Sequence, residues 1–234
     1  MKQTIKKFDY TQQATILVAV DCIIFGFIDG SLQLLLFKRR LDPFKNEWSL
    51  IGSFVNEKEG VQAAAARVLT EYTGLQNIYL EELGCFGEPA RDAGGRVISI
   101  AHYAFIRPNE EDEELVAQSG ARWFKFDELP SLILDHAEMA QQALAKLRSK
   151  ARYRPIGFEL LPTKFTIPQL KMLYDTIYQK DLDRRNFRKK ILSMGILQKL
   201  EEKDKSGSRK GAFLYSFDKE KYEALSQKGF NFEL

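Results

Sequence analysis

Little in this sequence can hold a metal or a disulfide. It has two cysteines, Cys22 and Cys85, far apart and outside any CxxC pair, and only two histidines. With so few thiol and imidazole ligands, neither a disulfide framework nor a zinc site is expected, and both cysteines read as small core residues. Long apolar runs are missing as well. The longest, Cys22 to Ile28, falls far short of the ~20 residues that cross a bilayer. The opening stretch MKQTIKKFDY contains no apolar segment of the kind a signal peptide needs. A cytoplasmic protein with no membrane partner is therefore expected. There is no internal repeat and no low-complexity tract.

What is present is ordinary globular material: 234 residues, 44% hydrophobic and 29% charged. That is enough for one large core and a small second one, so two domains are expected. The net charge of +3 conceals an uneven distribution. Residues 1–151 hold 17 Lys+Arg against 21 Asp+Glu, a balance of −4. Residues 152–234 hold 18 against 11, a balance of +7. A compact basic segment following an acidic one points to a polyanionic partner for the C-terminal part.

Elements can be read along the chain. Thr15 to Ile28 is rich in Val, Ile and Phe, and Asp29-Gly30-Ser31 closes it before Leu32 to Lys38, a hairpin signal. Val61 to Tyr72 is alanine-rich and stops at Thr73-Gly74, as a helix does. Strand-like runs follow at Ile78–Phe86, Arg96–Ile106 and Arg122–Phe126, with an acidic loop at Glu110–Glu114. In a helix from Ala137 to Lys150, Met139, Ala140, Ala143, Leu144 and Leu147 recur at helical spacing. Mixed strands between helices favour an α/β/α layering. Tyr153-Arg154-Pro155-Ile156-Gly157 breaks the pattern at the charge boundary and reads as the linker. Beyond it, Thr166-Ile167-Pro168-Gln169 is a capping box with proline in the first turn, and Leu170, Leu173, Tyr174 and Ile177 form one helical face. Asp183 caps a further helix that ends at Met194-Gly195, stapled by Leu182 and Phe187. Ile196–Leu200 and Ala212–Phe217 are strand-like and flank a polar turn.

The stretch GSFVNEKEGVQAAAARVLTEYTGL, Gly52 to Leu75, resembles the Nudix box, G-x5-E-x7-R-E-U-x-E-E-x-G-U, where U is a bulky aliphatic. Placing Arg67 on the box arginine puts Glu59, Leu69, Glu71, Gly74 and Leu75 on matching positions. The approach Trp48-Ser49-Leu50-Ile51-Gly52 and the run from Trp123 to Asp135-His136 are similar to the flanks of such domains. The departures bear on function. Ser53 replaces the first glycine, Val68 the glutamate after the arginine, and Tyr72 the second of the paired glutamates. Only Glu71 remains of three helix carboxylates, whereas Mg²⁺ requires several hard oxygen ligands. A non-enzyme with no catalytic residue, bound metal or cofactor is expected, in which Glu59, Arg67 and Glu71 form an internal ion-pair cluster. A pocket of this kind can still bind a small molecule. Asp21, Lys38, Arg40, Glu71 and His102 are the candidate effector-binding residues, on or beside strand-like segments. Losing the metal removes the easiest neutraliser of a diphosphate, which favours an uncharged effector.

Residues 158–217 look like the winged-helix domain of the Nudix-related transcriptional regulators, so the likeness spans nearly the whole chain. In Arg184 to Met194, Phe187, Ile191 and Met194 share one face and leave Arg184, Arg185, Arg188 and Lys189 largely on the other. Arginine can bond both acceptors of guanine and Asn186 can read adenine. Lys203, Lys205, Arg209 and Lys210, around Ser206-Gly207-Ser208, suit a wing that reaches the phosphate backbone. The expected fold is therefore α+β: a Nudix-fold α/β/α sandwich over 1–151, for effector sensing and dimerisation, then a winged helix-turn-helix domain over 152–234. The resemblance implies a ligand-responsive repressor that binds a double-stranded DNA operator as a homodimer. The expected system is a catabolic operon, with L-arabinose or a related pentose as effector. The alternatives are an ADP-ribose-responsive regulator of NAD metabolism and a Nudix hydrolase of a nucleoside diphosphate derivative.

Overall fold

In the computed structural model, which describes residues 13–206, 210–229 and 232, the spine of the larger unit is β1 (Leu17–Ile28). Its side chains alternate between two buried faces, Ile23 and Phe25 on one and Cys22 and Ile24 on the other. Burial on both sides explains why the strand reads as a nearly continuous apolar run. Asp29 and Gly30 both take left-handed backbone, φ 49° and 72°, as a two-residue hairpin turn requires. They lead into β2 (Ser31–Lys38), with Phe25 opposite Leu34.

Next come β3 (Trp48–Ser49), β4 (Ile51–Phe54), α1 (Val61–Thr73), β5 (Glu81–Phe86), β6 (Val97–Ile106), α2 (Glu110–Ser119), β7 (Arg122–Lys125) and α3 (His136–Tyr153). β6 lies parallel to β1, from Leu17 opposite Val97 to Gly26 opposite Ile106. β4 pairs with the first half of β1, and β5 and β7 pair with β6 and β2. α1 covers one sheet face through Ala64, Ala65, Val68 and Leu69. α3 covers the other through Met139, Ala140, Ala143, Leu144 and Leu147. This is the expected α/β/α sandwich.

Three sequence readings need correction. The acidic stretch Glu110–Glu114 is not a loop but the first half of α2. Asn109 and Asp112 form a reciprocal capping box there, and four carboxylates occupy the helix's positive end. α3 runs past the expected end at Lys150 to Tyr153, with Ala151 fully buried, so the residue that opens the expected linker is still helical. Cys85 is exposed on β5 rather than in the core, while Cys22 is buried with its thiol against the Ala65 carbonyl.

The smaller unit comprises β8 (Phe165–Thr166), α4 (Ile167–Tyr178), α5 (Arg184–Ser193), β9 (Leu197–Asp204), β10 (Ala212–Phe217) and α6 (Lys219–Gln227). Its sheet runs β8-β10-β9. β9 runs four residues past the end that its apolar pattern suggests. Its polar end, Glu201–Asp204, is held by backbone pairing to β10, with Asp204 opposite Ala212. Leu170, Leu173, Tyr174 and Ile177 of α4 pack with Phe187 and Ile191 of α5 and belong to the same apolar cluster as the α3 face of the large sheet. Polar contacts also cross the junction. The Thr176 hydroxyl donates to the Gly30 carbonyl (2.8 Å), Arg148 donates to the Ile177 carbonyl (3.0 Å), and Arg107 donates to the Leu160 carbonyl (3.2 Å).

Candidate functional site

The box residues fold as the alignment places them, but their carboxylates are already engaged. Arg67 bonds Glu59 through Nε and Nη2 (2.9 and 2.5 Å), Glu71 through Nη1 (2.9 Å) and the Phe54 carbonyl through Nη2 (3.1 Å). The Arg67 hydrogen bond, joined by the Asn56 amide, holds the Glu59 carboxyl down at about 2. Val68 is fully buried against the sheet. Tyr72 meets Phe37 edge-on, ring centroids 5.0 Å apart. This donor set does not fit Mg²⁺: one ligand position is core hydrocarbon, another is an aromatic ring, and both remaining glutamates are tied to a guanidinium. Among the described residues no cluster of three or more His, Cys, Asp or Glu side chains is placed to hold a metal ion.

Beside this cluster lies a cavity of about 420 Å³, within the range of small-molecule sites. Its floor is a buried polar network. Asp21 accepts from Ser99 Oγ (2.5 Å), and Arg91 Nη2 stands 3.8 Å from Asp21 Oδ2. The Arg91 side chain, 3% exposed, also forks onto Asp135 at 2.6 and 2.8 Å. His136, at the start of α3, accepts the Leu50 amide at Nδ1 (3.1 Å). Nδ1 is thus unprotonated and Nε2 carries the hydrogen, 3.7 Å from Asp21 Oδ1. Gly52 faces Asp21 across the β1–β4 pair, and a Cβ there would stand 2.0 Å from Asp21 Oδ1. Only glycine leaves room for that carboxylate.

The cavity brings together three of the five candidate effector residues: Asp21, Arg40 and Glu71. Lys38 points to the other side of β2, its ammonium 5.2 Å from the Trp48 ring centroid. His102 is buried on the sheet face that α1 covers, with Nδ1 3.1 Å from the Ile100 carbonyl, and burial pushes its imidazole below the ordinary range. Neither lines the cavity. Sequence reasoning missed Arg39, Arg91, Asp92 and His136, all of which do. The Asp135-His136 pair was visible as a domain flank, and a buried histidine at a helix start is the signal that could have drawn attention to it. Arg39, Arg40 and Arg91 set three guanidinium groups against Asp21, Glu71 and Asp92 on the cavity wall.

The second candidate surface is cationic. Asp183 caps α5 by accepting the Asn186 amide (2.7 Å), which fixes the helix start. Phe187 and Ile191 are buried, while Arg184, Arg185, Asn186, Arg188 and Lys189 are all exposed. Among the described residues none of those four cations is in an ion pair. A cleft of about 380 Å³ separates the start of α4, α5 and the turn end of the β9–β10 hairpin, with Lys171, Arg184 and Arg188 on its walls. Lys203 leans over Phe213 (4.4 Å), as does Lys199 (3.8 Å), which sequence reasoning did not single out. Lys205 and Lys210 are exposed near the hairpin tip. Arg209 lies outside the described residues.

Residues 16–147 match the NUDIX domain model, and residues 157–217 match the NrtR DNA-binding winged helix domain. The chain is 31% identical over 231 residues to the ADPR responsive transcriptional repressor NtrR of Acinetobacter baylyi, covering 97% of this chain and 88% of that one. It is similar to the Shewanella oneidensis NrtR crystal structure complexed with a 27mer DNA. There the TM-score is 0.71 and the identity 27%, over 86% of this chain and 93% of that one. The Nudix domain of the same Shewanella protein complexed with ADP ribose aligns with a TM-score of 0.51 at 27% identity, over 60% of this chain and 94% of that one.

Proposed function

The chain belongs to the family of Nudix-related transcriptional regulators, in which a Nudix domain precedes a DNA-binding winged helix, and from that premise we propose that it is an ADP-ribose-responsive repressor without hydrolase activity. One observation carries the reading. A Nudix box without a metal-competent carboxylate set sits in a chain that resembles an ADPR responsive repressor over nearly its full length. ADP-ribose is a fragment of NAD, so genes of NAD metabolism are the expected targets.

This reading replaces L-arabinose as the effector. The physical premise for a sugar is that a cavity without metal lacks the easiest neutraliser of a diphosphate. Arg39 and Arg40 on the cavity wall meet that need, since guanidinium groups bond phosphate oxygens in a fixed fork. Phe37 and Tyr72 offer an aromatic wall beside them.

In the DNA complex, α5 enters the major groove. Arg184, Arg185 and Arg188 read bases or bond phosphates, Asn186 reads adenine and Lys189 holds the backbone. The wing, with Lys203, Lys205, Arg209 and Lys210, flanks it. The protein acts as a homodimer on two half-sites, because one winged helix spans few base pairs.

The test is calorimetric titration of the full chain with ADP-ribose in EDTA. Binding that persists without divalent metal, weakens at least about tenfold in Arg39→Ala, and is followed by no release of AMP when Mg²⁺ is added supports the reading. Binding only with Mg²⁺, or AMP release, would return the chain to the hydrolases.

A further inference from the structure

The β1–β2 hairpin and α3, which line the effector cavity, also grip one helix of the DNA-binding unit at their other ends. β1 and β2 carry Asp21 and Phe37 into the cavity. Some distance along the same strands they close in the Asp29-Gly30 turn, whose Gly30 carbonyl accepts from Thr176 Oγ1 on α4 at 2.8 Å. The fit at that turn is close, since a Cβ on Gly30 would stand 2.8 Å from Met172 Sδ. α3 begins at His136 in the cavity floor. Three turns on, Arg148 donates to the Ile177 carbonyl (3.0 Å) and to Gln179 Oε1 (2.6 Å) at the C-terminal end of α4. A guanidinium there also complements the negative end of the helix. On its other side α4 carries Tyr174, whose ring centroid lies 5.8 Å from that of Phe187 in α5.

We propose that the last turn of α4 is the joint through which effector binding reaches the recognition helix, with Thr176 and Arg148 as positioning residues that tie it to the β1–β2 turn and to α3. The inference rests on the effector reading above and adds the route of control. Both ties hold the turn that bears α4 against α5. A ligand that shifts β1–β2 relative to α3 therefore rotates or translates α4 and carries α5 with it. Such coupling needs two arrangements that the effector and DNA prefer differently. Contacts of one hydroxyl with one carbonyl, and of one guanidinium with a helix end, can be broken and remade without opening the core. Neither residue touches the cavity or the cationic face of α5.

The experiment measures DNA affinity of the full chain with and without saturating ADP-ribose, and ADP-ribose affinity with and without DNA. It uses a duplex selected by the parent protein and compares the parent with Thr176→Val, Arg148→Met and Thr176→Ser. Coupling between sites ordinarily amounts to about 5- to 150-fold. In Thr176→Val and Arg148→Met each ligand alone binds as in the parent. The factor between them collapses toward one, equally in both directions because linkage is reciprocal. Thr176→Ser, which keeps the hydroxyl, keeps the parent's factor. A parental factor in both Thr176→Val and Arg148→Met would overturn the joint. A parent that binds DNA but gives the same affinity with ADP-ribose would overturn the effector reading, and the joint with it. That outcome is distinguished by the parent's own curves.

Discussion

His136 shows how one buried side chain ties the cavity floor to stability. Burial pushes its imidazole below the ordinary range. Asp21 and Asp135 oppose that shift, and Arg91 and Arg39 act with it. The folded chain keeps the ring neutral, with Nδ1 accepting the Leu50 amide. The unfolded chain protonates it below about pH 6.5. The unfolded state therefore binds the extra proton, and stability falls as pH drops through about 6.5 toward the lower folded-state value. Denaturant midpoints followed from about pH 8 to 5 should fall in the parent and fall less steeply in His136→Gln, whose amide oxygen can still accept from Leu50, with buried His102 accounting for the remaining fall. An equally steep fall in the variant would remove His136 as the source. At this scale the lining of the cavity was only partly legible. Asp21, Arg40 and Glu71, singled out on or next to segments with clear patterns, line it. Arg91 lies in an irregular loop and pairs with Asp135 across 44 positions, a partnership that no local spacing reveals.

Among the elements, those with strong local chemistry were readable and those without it were not. The Asp29-Gly30 turn, the Gly74 stop and the Thr166–Gln169 box each carry their own backbone instruction, and all three form. α2 and α6 carry little apolar periodicity, because α2 buries only Val116 and α6 buries nothing fully. Their signals are the caps, Asn109 and Asp218, which accept the amides of Asp112 and Lys221. α5 is the opposite case: its cap, its staple and its split between apolar and cationic faces agree, and the element follows. Changing Arg184, Arg185 and Arg188 together to alanine keeps a good helix former at exposed positions. It should leave thermal unfolding nearly unchanged while DNA affinity drops by at least about a hundredfold, at about 1–3 kcal/mol for each base-reading arginine. Undiminished affinity in that variant would take DNA recognition away from α5.

For the whole molecule, the charge changes sign near the C-terminal end of α3, between the cavity and the cationic helix. Residues 1–151, at −4, carry the cavity, and residues 152–234, at +7, carry the cationic helix. If each subunit neutralises roughly five phosphates and two subunits bind together, log affinity falls against log salt with a slope near −9. A single subunit would give about half that slope. The most direct test of the central claim, that a Nudix pocket without metal governs a winged helix, is selection of sequences from a random duplex pool. The full chain would be immobilised at about 150 mM salt and eluted with ADP-ribose or, in parallel, with L-arabinose. The account predicts a motif of two related half-sites, released by ADP-ribose and retained in arabinose. Enrichment of no sequence, or release by arabinose and not by ADP-ribose, would contradict it.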